Sequence, residues 1–219
     1  MKVIPKPLYI LMVLAMLAGM LGIQPVKPVQ AANPIRISQA YGAGGNTGAT
    51  YTHDFIEIFN SSTTAVNVNG WSVQYASSAG TSWQVTALTG TIPANSYYLI
   101  QEGVGTGGTT PLPTPDATGA IAMQGASNFK VALVDSTTAL TGSCPTGVVD
   151  FLGGGSANCS EGSAAPVTTS TTALIRKQSG CQDTDVNADD FEALAPTPRN
   201  TASPTHSCGP VGPIPPVIN

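Results

Sequence analysis

The sequence predicts an all-β protein: an immunoglobulin-like β-sandwich of about nine strands, with a short C-terminal helix and long loops. Three observations carry that prediction. Short apolar–polar alternations recur along the chain with no amphipathic helices between them. Only 9% of the 219 residues are charged, whereas glycine (24) and proline (18) are plentiful, which suits strands joined by many tight turns. Two neighbouring strands flanking Asn69-Gly70 also carry large aromatic side chains of the kind that seed a sheet-on-sheet core.

Ile35 to Tyr41 (IRISQAY) alternates and opens the domain. Gly42 to Gly48 (GAGGNTG) is a glycine-rich loop. No Lys-Ser/Thr follows it, so it is no phosphate cradle; its glycines suit positive φ in an exposed loop. In the next strand Phe55, Glu57 and Phe59 share one face, and Asp54, Ile56 and Ile58 the other. Asn69-Gly70 is the strongest turn signal, and Trp71, Val73 and Tyr75 follow it in alternation. A strand at 82–85 precedes the nearly continuous apolar run Tyr97 to Ile100, suited to a sheet centre. Residues 103–118 form a long loop, of a length that is functional or locally tied down. Strands follow at 120–123, 130–134, 148–152 and 173–176, with another loop at 153–170. Asn187 to Leu194 is the one helix expected after the leader, with Asn187 as N-cap and Asp190 in the first turn.

The two ends read differently from the domain between them, 32–208. Lys2, Lys6 and the sixteen-residue apolar run Leu8 to Ile23 are expected to form a signal peptide, residues 1–31, cleaved near Ala31. Sixteen residues fall short of the roughly twenty needed to cross a bilayer, so no membrane span is expected after cleavage. The secreted chain then holds five basic and twelve acidic residues, net charge −7. Tight non-specific binding to nucleic acid, which requires a basic surface, is not expected. Residues 209–219 (GPVGPIPPVIN) form a proline-rich tail without a period, expected to be extended or disordered.

Cys144, Cys159, Cys181 and Cys208 form an even set in an oxidising compartment, and three pairings are open to them. Neighbour pairing, 144 with 159 and 181 with 208, is favoured because it closes loops of 15 and 27 residues. No CxxC spacing supports zinc instead.

Several of these segments resemble the lamin tail domain family. The stretch FIEIFNSSTTAVNVNGWSVQY is similar to its pattern of strand ending in Asn, short loop, Gly-Trp and strand. TIPANSYYLI (91–100) and KVALVDSTT (130–138) are similar to two further strands, and ISQAYGAGGNTGATYTHDF with TPDATGAIAM resemble the bacterial secreted branch. The resemblance spans Ile35 to Cys208. It implies an immunoglobulin-like fold and a domain that stands alone or precedes a nuclease.

Chemistry has few footholds. Asp183-Thr-Asp185-Val-Asn187 opens like a calcium loop, with Asp190 as a further oxygen donor, so Asp183, Asp185, Asn187 and Asp190 are the candidate ligands of a structural Ca²⁺. Ala188 and Leu194 stand where such a loop needs Gly and Glu, and the rival reading is a helix cap beside a disulfide. His53, Asp54 and Glu57 read as a solvated strand entrance, because alternation separates the two carboxylates. There is no GxSxG elbow, and the two histidines, His53 and His206, lie far apart in sequence. The sequence therefore predicts no enzyme, but a secreted binding or targeting module presenting loops 42–50, 103–118 and 153–170, with Trp83, Tyr41 and Tyr51 as candidate exposed aromatics, although core burial is the commoner fate of a tryptophan in such a domain. An extracellular protein, a polysaccharide or DNA are all open as partners. The alternatives are an accessory domain of an extracellular nuclease system and a calcium-dependent hydrolase using Asp183, Asp185 and Asp190.

Overall fold

A computed structural model describes residues 33–125 and 128–209. The predicted signal peptide and all but the first residue of the proline-rich tail lie outside the described residues. The strands, in chain order, are β1 (Ile35–Tyr41), β2 (His53–Asn60), β3 (Val66–Asn67), β4 (Ser72–Ser77), β5 (Gln84–Ala87), β6 (Thr91–Ile92), β7 (Tyr97–Val104), β8 (Ala117–Thr118), β9 (Phe129–Val134), β10 (Asp150–Gly153), β11 (Ala173–Arg176) and β12 (Phe191–Leu194). A single helical turn, α1 (Asn187–Asp190), leads directly into β12.

One sheet has the order β12-β11-β1-β2-β7-β8, the second β10-β9-β4-β5, and β3 pairs with β6 alone. Alternation decides what each face meets. Ile37, Ile56, Ile58 and Ile100 of the six-stranded sheet pack against Val73, Phe129, Val131 and Leu133 of the four-stranded sheet. Burying each such side chain contributes about 1.5–3 kcal/mol, which makes this interface the main source of stability.

Both outer faces are apolar as well, and irregular chain covers each. Beyond the six-stranded sheet, Tyr41, Phe55 and Leu99 are buried with Leu112 beside them. Residues 195–208 run along this side as a strap: Gln39 and Thr197 exchange two hydrogen bonds, and the His206 ring approaches Phe59. Behind the four-stranded sheet, Trp83, Ala132, Val134 and Phe151 form another cluster with Leu140 and Val148, beside a flap made of residues 135–149 and 154–159 on either side of β10. The Trp83 indole N–H donates to the Gly142 carbonyl of that flap. Disulfides close each cover, Cys144–Cys159 in the flap and Cys181–Cys208 at the end of the strap.

Three local expectations are corrected. The helix stops at Asp190, because Phe191–Leu194 finds a better use as the edge partner of β11 in full antiparallel register. Asn187 is not the N-cap: Val186 holds that position without a side-chain bond, and the Asn187 amide instead serves Gly153 N, Glu161 N and the Phe151 carbonyl. Residues 120–123 keep the alternation of a strand, with Ile121 and Met123 buried, but join no ladder.

Candidate functional site

The glycine-rich loop and the long loop after β7 meet at one end of the larger sheet. Gly42 to Gly45 are buried rather than exposed, and only residues 46–48 reach solvent. A Cβ on Gly44 would collide with the backbone of His53 and Asp54, and one on Gly45 with that of Gly105. Close backbone approach requires glycine at Gly44, Gly45 combines it with the expected positive φ of 69°, and Gly48 has the positive φ alone, at 76°. Gly107 N donates to the Gly45 carbonyl (2.7 Å), Gly45 N to that of Tyr51 (2.8 Å), and Tyr51 bridges to Thr110. The two predicted recognition loops are thus knitted into one surface. Its exposed tips are Asn46, Thr47, Thr106 and Thr109. Trp83 and Tyr41 lie in the interior, and Tyr51 is half-buried against Tyr41 and Phe55.

The predicted calcium ligands are placed around an arginine. The Arg176 side chain is fully buried, with Asp150 at 2.8 Å, Asp183 at 3.0 Å and Asp190 at 3.5 Å. Burial works against its charge, but Asp150, Asp183 and Asp190 hold its pKa above the ordinary arginine value. Asp183 also faces Arg36 at 3.6 Å, and Asp190 accepts both the N–H and the hydroxyl of Thr184. Asp185 is exposed, and Asn187 turns inward as described above. Asp183 and Asp190 converge on the Arg176 guanidinium. Among the described residues no group of three or more His, Cys, Asp or Glu side chains is arranged to hold a metal.

The strand entrance is not solvated: Asp54 and Glu57 are both buried. Glu57 lies under the strap, where the Arg199 guanidinium (2.8 Å) and backbone N–H (2.7 Å), Ser38 and Gln39 all donate to it. Arg199 in turn lies 3.6 Å over the Tyr97 ring, which stacks on Phe59. Burial pushes the Glu57 carboxyl up, while Arg199 and Ser38 pull it back. On the other side Lys130, also fully buried, gives its three N–H donors to the carbonyls of Gly80 and Ser143 and to Asn158 Oδ1, each at 2.8 Å. Sequence reasoning missed Arg199, Lys130 and Arg176. Their signal is that five cations remain after residue 31 in a chain this apolar, and four of them serve the interior.

Two mostly antiparallel β-sheets packed face to face over an apolar core define an immunoglobulin-like domain. The lamin tail domain profile matches residues 28–150, more than half of the sequence, and the chain belongs to that family. The match ends where β10 begins, so β11, β12 and the strap lie beyond it. No curated protein matches the chain. Among solved structures, a DUF4876 family protein from Bacteroides thetaiotaomicron is similar over 80% of this chain and 75% of its own, with a TM-score of 0.51 and 14% identity. That likeness is one of fold.

Proposed function

We propose that the protein is a secreted, non-catalytic module that recognises an extracellular partner through the joined loops 42–50 and 103–118. The observation that supports this most is the use of its buried charged side chains. Arg176, Lys130, Arg199 and Glu57 each hold a cover or a loop in place. A rigid framework with interlocked loops at one end suits recognition, which needs immobile contact groups more than reactive ones. The two disulfides, and the lack of any helix long and apolar enough to cross a membrane among the described residues, are compatible with life outside the cell.

The test is to screen the purified protein against duplex DNA, polysaccharides and the producing organism's secreted proteins. Any binding found is then remeasured with Asn46, Thr47, Thr106 and Thr109 replaced by alanine. Binding lost at an unchanged melting temperature supports the reading. Binding that survives the loop changes, or turnover of any of these substrates, overturns it.

A further inference from the structure

Most buried carboxylates of this molecule have a cation, and Asp54 and Glu102 do not. Asp150 and Asp190 have Arg176 and Glu57 has Arg199. Asp54 and Glu102 are 4% and 1% exposed, and no lysine or arginine among the described residues acts on either. They are neighbours across β2 and β7. Phe55 pairs with Gln101 and His53 with Val104, so a bulge sets Asp54 opposite Glu102 and Gly103. The charged or titratable groups facing Asp54 are Glu102, Tyr41 from β1 and Tyr75 from β4.

What they hold is the stretch 119–124. Met123 N and Gly44 N donate to the two oxygens of Asp54, each at 2.8 Å, and Ile121 N donates to Glu102 Oε2 at 3.0 Å. Gln124 N donates to the Tyr75 hydroxyl. These bonds take the place of a ladder and press Ile121 and Met123 into the end of the core. The site is also unfinished. The Thr86 hydroxyl is near enough to Glu102 to hold its pKa down against burial, yet neither Thr86 Oγ1 nor Glu102 Oε1 completes a well-formed hydrogen bond, and both carboxyl and hydroxyl lie directly under Gly119, where any Cβ would strike them. A cleft of about 260 Å³, lined by His53, Gln101, Glu102, Gly119 and Ala122, reaches this point from outside.

We propose that Asp54 and Glu102 form a proton-dependent clasp: while at least one of them keeps its proton they hold 119–124 over the end of the sandwich, and when both ionise that stretch releases. Two adjacent carboxylates in an apolar environment cannot both carry charge cheaply, so the pair titrates as a unit. Burial pushes Asp54 up to about 7, against the hydrogen bonds from Met123 and Gly44 and helped by Glu102. Burial raises Glu102 too, against the hydrogen bonds from the Thr86 hydroxyl and the Ile121 N–H. Release is the least costly relief, because apart from the carboxyl bonds 119–124 is tied to β7 by two backbone bonds, Gly119 N to the Gln101 carbonyl and Gly103 N to the Ile121 carbonyl, and the cleft opens beside it. Opening uncovers Ile121 and Met123, an apolar strip at the end of the domain.

Hydrogen exchange of the purified full chain tests this, each rate divided by its intrinsic value. Between about pH 5 and about pH 9, protection of 119–124 should fall at least about tenfold, the factor carried by one pKa unit. The variant Glu102→Gln keeps the acceptor for Ile121 N and removes the second charge, so it should stay protected throughout. Constant protection in the natural chain, or an equal fall in Glu102→Gln, overturns the clasp. If that variant does not fold, carboxyl carbon NMR of the natural chain decides: an Asp54 midpoint near 7 supports the clasp, and one near the ordinary carboxylate value overturns it.

Discussion

The two outer faces of the sandwich solve one problem with opposite charges. Each sheet turns an apolar face away from the core, and each face is covered by irregular chain closed by a disulfide. On the strap side the buried charge of the sheet is an anion, Glu57, and the cover brings the cation, Arg199. On the flap side the buried charge is a cation, Lys130, and the cover brings only neutral oxygens, with the Trp83 ring 5.6 Å below. An anion met by a guanidinium is firmly held but dangerous to uncover. An ammonium met by three carbonyl-type oxygens loses less when one partner goes. The strap should therefore fail more steeply than the flap.

The largest effect is expected from Arg199→Ala, which strands Glu57 in the interior. Breaking a buried pair from one side costs about 3–5 kcal/mol. Denaturant unfolding should show that loss, and Glu57→Gln in the same chain should return much of it. If Arg199→Ala costs under about 1 kcal/mol, Glu57 is already reached by water and the asymmetry between the faces is wrong.

Removing Cys181–Cys208, which closes 27 residues, should cost about 3.5 kcal/mol, and removing Cys144–Cys159, which closes 15, about 3 kcal/mol. The totals are nearly equal, but the consequences are not. Loss of the strap bond should expose amides of β1 and β2 to exchange. Loss of the flap bond should leave the flap tied by Lys130 and Trp83. Lys130→Met comes next, at about 1–3 kcal/mol for the oxygens it leaves unpaired. A Lys130→Met cost as large as that of Arg199→Ala would erase the distinction between the covers.

The sequence made one side of this comparison legible and hid the other. Alternation in β2 correctly put Glu57 on the face of Phe55 and Phe59, but nothing local indicates that residues 197–199 return over that face. Of the alternating oxygens from Asp183 to Asn187, only Asp183 reaches the arginine pocket, where Asp190 and Asp150 join it. The cation they meet, Arg176, is on β11. Residues 120–123 have the period of a strand because Ile121 and Met123 must point inward, and periodicity cannot tell whether the N–H groups meet a ladder or two carboxylates. The sandwich itself was readable because it rests on side-chain period, turn residues and cysteine spacing, which are local. The anchors are contacts over long sequence separations, and a single sequence does not reveal those.

The smallest expected effect concerns Glu161, two residues past the flap disulfide, where burial pushes the carboxyl up to about 8, with Asp150, Asp183 and Asp185 adding to the rise and Arg176 opposing it. A carboxyl raised in the folded state binds its proton more tightly there than in the unfolded chain. The stability it adds is complete below about pH 4.5 and is lost as pH rises through 8. Glu161→Gln removes that loss while keeping an acceptor for the Asn187 amide, whose Nδ2 lies 3.1 Å from Glu161 Oε2. Because the group is partly exposed, the gain should be modest, a melting temperature higher by about 2–4 °C at pH 8 and unchanged near pH 4. Glu57→Gln, whose partner is a guanidinium, should instead lower the melting temperature at pH 8. Opposite signs for these two glutamates at one pH would show that a fixed cation, more than depth of burial, separates a carboxylate that holds this domain together from one that strains it.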